Sequence, residues 1–170
     1  MRVELWWGDE RCVPPDDERS NYGMAKATLL DRVSSGNVHR MRGELGGEQG
    51  AALYAQELAG LERFDLVLLG LGPDGHVASL FPGEPTLDET QRRVLGAEAK
   101  FEPYVDRITL TLPVLRAADD VLFLVSGEGK AEAVRRAFAD EPSRATPGSL
   151  VRADGGRTTA VLDSAAAARL

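Results

Sequence analysis

The 170-residue chain carries a net charge of −7 and a single cysteine, Cys12. The acidic balance argues against general nucleic-acid binding, and one thiol excludes an internal disulfide framework. With 43% hydrophobic and 28% charged residues the chain reads as an ordinary globular domain, long enough to bury a core and without the run of 18 apolar residues a membrane span needs. The opening residues, MRVELWWGDE, lack the apolar core of a signal peptide. One cytoplasmic domain over residues 1–170 is therefore expected, with no internal repeat and no low-complexity linker.

In chain order, Arg2 to Trp7 alternates as a strand does, Val3, Leu5 and Trp7 against Arg2, Glu4 and Trp6. Gly8-Asp9-Glu10-Arg11 follows, then a loop at Pro14-Pro15. Asp9, Glu10 and Arg11 read equally well as a solvated turn or as one wall of a crevice, with Arg11 an anion ligand. Ser20 or Asn21 caps a helix to about Val33, with Tyr22, Ala25, Leu29 and Leu30 as its apolar stripe and Ser34-Ser35-Gly36 at its end. Val38 to Met41 is a short strand. It contains His39, which reads as structural because no acid or nucleophile adjoins it in sequence. After a glycine-rich loop, Glu48 to Leu61 forms a helix.

Asp65 to Leu69 is a short, nearly all-apolar run that suits a strand buried on both faces. Gly70-Leu71-Gly72-Pro73-Asp74-Gly75-His76 follows, then Ser79. His76 is one of two histidines. A neutral imidazole can take a proton from water, and Asp74 is close enough in sequence to orient it. The alternative is a plain strand-to-helix turn with Asp74 as a cap. Gly72 and Gly75 allow backbone to approach a ligand. The spacing Gly70-x-Gly72-x-x-Gly75 also matches a dinucleotide fingerprint. That motif wants an acid about 20 residues on, after a second strand, and Asp88 and Glu89 come too early.

A polar loop follows Pro82. Val94 to Ala97, Arg107 to Leu112 and Asp120 to Val125 read as strands, the last of them buried. Pro113 opens a short helix. Ser126-Gly127-Glu128-Gly129-Lys130 leads into a helix to about Phe138, with Ala131, Val134 and Phe138 inward. Two glycines and a lysine at a helix start suit a phosphate, although a surface lysine is the plainer account. Arg107 stands where edge arginines are common; with Lys130 it would make an anion clamp. Thr158 to Leu162 is a final strand, and Ser164 caps a final helix through the alanine run. The expected fold class is α/β: a Rossmann-like layered fold with a mainly parallel sheet flanked by helices. Parallel strands would set Asp9–Arg11, Asp74–Ser79 and Ser126–Lys130 along one sheet edge, where ligands bind in such folds.

Four stretches resemble the 6-phosphogluconolactonases, relatives of the glucosamine-6-phosphate deaminases. They are WWGDERCVPPDDERSN, NVHRMRGE, GLGPDGHVASLFPG, and RITLTLPVL with SGEGKAEA. They keep the family's order and span nearly the whole chain. The resemblance implies hydrolysis of 6-phospho-glucono-lactone to 6-phosphogluconate in the oxidative pentose phosphate pathway, with no metal and no organic cofactor. It implies His76 as general base, Asp74 as its positioner, and Arg107 and Lys130 as phosphate ligands. Asp9 and Arg11 would line the sugar pocket, and Gly75 would lie against the substrate. The partner is a small sugar-phosphate lactone, not nucleic acid or membrane, and no oligomeric state follows. The deaminases resemble DGHxAFNEP at the third stretch and use its Glu for proton transfer; Phe81 stands there instead. The family also carries a Gly-Gly-Ser-Thr-Pro-like phosphate loop ahead of the GDER stretch. Nothing here matches it, so an N-terminally truncated domain is expected, with weak activity and a tendency to self-associate. A sugar-phosphate-binding module without catalysis is the competing function.

Overall fold

A computed structural model describes residues 3–33 and 37–170. The chain divides into two compact units: Met1–Gly60 with Val94–Leu110, and Leu61–Arg93 with Thr111–Leu170. The stretch expected to end the first helix, Ser34 to Gly36, lies outside the described residues.

In the first unit, β1 (Leu5–Trp6) pairs in parallel with β3 (Val38–His39). β2 (Asp9–Arg11) and β5 (Val94–Ala97) flank β6 (Arg107–Leu110), both antiparallel to it. α1 (Asn21–Thr28) is capped by Ser20, whose hydroxyl accepts from Gly23 N at 3.0 Å. α1 buries no residue, so the apolar stripe expected there is not a core face. α2 (Gly47–Glu57) packs on β5 and β6. Its close approach needs glycine, because a Cβ at Gly50 would run into the Ile108 side chain and lie 2.8 Å from Arg42 O. The core here is Met41, Tyr54, Leu58, Leu95 and Ile108. The buried Tyr54 hydroxyl accepts from Trp7 N at 2.8 Å and lies 3.1 Å from Trp7 O.

In the second unit β4 (Leu66–Leu69), β7 (Asp120–Val125) and β8 (Arg157–Leu162) form a parallel sheet in the order β4-β7-β8. α3 (Leu112–Arg116) begins at the Pro113 signal, and α4 (Ala131–Phe138) lies in the connection from β7 to β8. Val67, Leu69, Val121, Phe123 and Val125 face a core shared with Val134 and Ala137 of α4. The opposite face is open. Leu66, Leu68, Leu124 and Val161 are 49%, 59%, 51% and 52% exposed. The apolar run of β4 is thus half-buried, not buried on both faces as expected, and β7 likewise.

Parallel sheets flanked by helices agree with the expected α/β class. The single sheet edge does not hold. Asp9–Arg11 is itself a strand, in an antiparallel sheet, while the other two polar clusters follow neighbouring parallel strands. The final helix is also absent: residues 164–169 are turns. Asp163, not Ser164, supplies the cap there, accepting from Ala166 N at 2.7 Å and from Gly127 N at 3.0 and 3.1 Å. A six-residue alanine-rich run does not repay helix nucleation without an apolar face to pack. Among the described residues no helix is long and apolar enough to cross a membrane.

Candidate functional site

The turn after β4 folds back on itself. Gly72 N donates to His76 O at 2.8 Å and Gly75 N to Gly72 O at 2.9 Å. Gly75 has a φ of +97°, a backbone state that a Cβ disfavours, and Thr146 packs where that Cβ would stand. Ala78 also takes a left-handed backbone, φ +48°, at a cost of about 1–2 kcal/mol. It reverses the chain so that Ser79, Leu80 and Phe81 are buried.

This folding brings Asp74 and His76 together. Asp74 Oδ1 lies 2.6 Å from His76 Nδ1 and also accepts from His76 N at 3.2 Å. Burial pushes the Asp74 carboxyl up, but the bonds from the His76 ring and backbone outweigh it and hold the group below its usual range. An ionised carboxylate can only accept, so the bond to Asp74 needs the proton on Nδ1, and in a neutral ring the lone pair then lies on Nε2. The Phe81 ring sits 5.1 Å from the imidazole at 53°. Hydrophobic backing of this kind limits ring rotation.

The turn's carbonyls are held from outside. Lys130 Nζ donates to Leu71 O at 2.7 Å, Arg136 Nη2 to Pro73 O at 3.2 Å, and Gly148 N to Gly75 O at 2.9 Å. Burial lowers the Lys130 ammonium's pKa, partly offset by the nearby Asp74 charge. Lys130, placed by sequence beside a phosphate, thus already makes a backbone contact that steadies the turn. Arg136 had no sequence signal, since its partner lies 63 residues away.

The other candidates belong to the first unit. Arg11 and Arg107 stand opposite each other in the antiparallel β2–β6 register. Arg107 is 3% exposed, which goes against the plain edge-arginine alternative. Its Nη2 donates to Phe101 O at 3.2 Å and Pro103 O at 2.8 Å, and Arg11 Nη1 donates to Arg19 O at 2.7 Å. The Nε of each guanidinium is buried without a hydrogen-bond partner. Burial and the like charge of Arg11 both lower the Arg107 pKa, with Asp9 opposing them. A buried N–H left unpaired costs about 1–3 kcal/mol, and the two guanidinium groups concentrate positive charge at facing positions. Asp9 O accepts from Asn21 Nδ2 at 3.0 Å.

Glu10, read as part of a turn or crevice wall, is 2% exposed and points the other way. It accepts from Arg11 N, Asn21 N and Tyr22 N at 2.7 Å each and from the Ser20 hydroxyl at 3.1 Å. It anchors the start of α1, and its charge, like that of Asp9, acts to raise the Arg107 pKa. His39, read as structural, stacks on Trp6 with centroids 3.7 Å apart and planes 4° from parallel. Two acids do flank it in space, Glu4 at 3.7 Å and Glu57 at 3.6 Å.

A family model described as "Glucosamine-6-phosphate isomerases/6-phosphogluconolactonase" matches residues 1–160. A 6-phosphogluconolactonase of Streptomyces coelicolor is 43% identical, the match covering 99% of this chain and 70% of that protein. The human 6-phosphogluconolactonase is 40% identical, over 98% of this chain and 67% of that one. Among solved structures, a 6-phosphogluconolactonase from Trypanosoma brucei superposes with a TM-score of 0.85 at 31% identity, covering 96% of this chain and 72% of its own.

Proposed function

We propose, on the premise that the chain belongs to the family of glucosamine-6-phosphate isomerases and 6-phosphogluconolactonases, that it hydrolyses 6-phospho-D-glucono-1,5-lactone to 6-phospho-D-gluconate. The observation that carries the reading is the 2.6 Å contact between Asp74 Oδ1 and His76 Nδ1. It fixes the direction in which the imidazole's other nitrogen acts as a base. His76 Nε2 removes a proton from water, and the oxygen attacks the lactone C1. The carbonyl electrons move to oxygen, then return as the bond from C1 to the ring oxygen breaks. The imidazolium gives its proton to that departing oxygen, which becomes the C5 hydroxyl. The new carboxylic acid ionises to bulk water. Asp74 stabilises the imidazolium without accepting its proton.

The arginines supply the affinity. Arg107 and Arg11 set two positive charges opposite each other, with a buried N–H of each lacking a hydrogen-bond partner, which supports a role in binding phosphate. Lys130 is assigned to the anion as well, with two of its protons remaining beyond the Leu71 bond. Asp9 and the Gly75 backbone are assigned to the sugar. Phe81 packs against His76 where the amino-sugar branch needs an acid, which favours ester hydrolysis over isomerisation.

The test is acid release from freshly made lactone at mildly acidic pH, where spontaneous opening is slow. The protein accelerates it, and His76→Ala loses the acceleration. An undiminished rate in that variant ends the assignment.

A further inference from the structure

We infer that Gly72 is a positioning residue for the Asp74–His76 pair, and that the space of its missing side chain is the seat the pair occupies. The three nearest heavy atoms to a Cβ built at Gly72 are His76 Nδ1, His76 Cε1 and Asp74 Oδ1, the last at 2.5 Å. These are the two partners of the dyad bond and a neighbouring ring atom. No side chain fits there while the bond exists. The backbone does not demand glycine: Gly72 is not among the residues with positive φ.

The neighbouring glycines isolate the effect. Gly70, two residues earlier and exposed, has nothing within 4 Å of its would-be Cβ. Gly75 is needed for its positive φ and for the approach of Thr146. The three glycines of the run therefore answer to three different conditions: open space, dyad geometry and backbone conformation. From sequence, Gly72 reads as a place where backbone approaches ligand; in the fold the approaching groups are the protein's own acid and base. The bond from Gly72 N to His76 O clamps the two residues back to back. A methyl at Gly72 cannot be avoided by sliding the strand, so the ring must turn and the Asp74 bond must open.

The catalytic consequence rests on the proposed lactone hydrolysis, whereas the geometric one does not. Gly72→Ala and Gly70→Ala are compared by steady-state kinetics on the lactone and by nitrogen-15 NMR of the His76 ring without substrate. Gly70→Ala matches the parent in both. Gly72→Ala loses about 100-fold in kcat, as expected when a base is displaced by about 1 Å, with KM within about threefold. Its ring spectrum changes from one tautomer protonated at Nδ1 to a mixture. If Gly72→Ala matches Gly70→Ala in rate and spectrum, the inference is overturned while lactone hydrolysis stands. If the parent has no lactonase activity but the spectra still differ, Gly72 keeps its role and the function falls. Should Gly72→Ala unfold or lose thermal stability, the double variant Gly72→Ala/His76→Ala decides. Removing the ring removes the collision and restores the Tm of His76→Ala alone, and failure to do so also overturns the inference.

Discussion

Two of the places where this molecule brings ionisable side chains together are built in opposite ways. In the turn after β4, an acid and a base face each other at 2.6 Å and each meets the other's hydrogen-bonding need. In the β2–β6 ladder, two arginines of like charge are held opposite each other, each with a buried N–H unanswered. Attraction in the first fixes a direction for a proton. Repulsion in the second lowers the Arg107 pKa, and the Asp9 carboxylate relieves it only in part. The same stabilising backbone can thus serve proton chemistry or anion affinity, depending on whether the charges it gathers already satisfy one another.

The largest expected effect breaks one side of this contrast alone. His76→Ala lowers kcat by about 10²- to 10⁴-fold, the usual cost of losing a positioned base, and leaves product affinity nearly unchanged. A large loss of product affinity would mean the dyad also holds the ligand's charge. Next, Arg107→Ala weakens 6-phosphogluconate binding by about 10- to 150-fold, from a charged hydrogen bond worth about 1.5–3 kcal/mol. Calorimetry with unphosphorylated gluconate is the control, and equal losses for both ligands would make Arg107 a purely architectural group.

The other histidine sharpens the comparison further. His39 has acids nearby, yet they approach only to 3.6–3.7 Å and its ring face is covered by Trp6. His39→Ala therefore leaves kcat alone and costs about 1 kcal/mol of stability from the lost ring stack, read from urea unfolding. The smallest effect concerns acid. The Asp74 carboxyl is held below its usual pKa in the fold. A depressed carboxylate contributes stability that is present above its ordinary value, about 4, and is lost as pH falls through the folded value. The Tm gap between the parent and Asp74→Asn is constant from neutral pH down to about 5 and closes below it. A gap that persists unchanged in strong acid would mean Asp74 is not ionised in the native turn.

The dyad was legible because it is local. Asp74 and His76 are two residues apart, and the glycines that let the turn close lie within the same six positions. The strands of the second unit were legible for the same kind of reason, since short apolar runs between turn residues have few alternatives. The arginine ladder was not. Asp9-Glu10-Arg11 has no apolar alternation, and a three-residue charged strand becomes one only when a partner 96 residues away offers its edge. The open choice at Asp9–Arg11 between a turn and a crevice wall, and the burial of Arg107 that its place at a strand start did not show, share that origin.

Chemistry between near neighbours in the chain decided the turn types, the helix starts at Ser20 and Pro113, and the acid–base pair. Pairing between distant segments decided everything that depends on which surface is covered. It made β4 half-exposed, turned Glu10 inward, buried Arg107 opposite Arg11, and aimed Lys130 at a carbonyl 59 residues away. The physical reason is that hydrogen bonding and backbone conformation are set by adjacent residues. Burial and the meeting of charges are set by what the rest of the fold places on top of them.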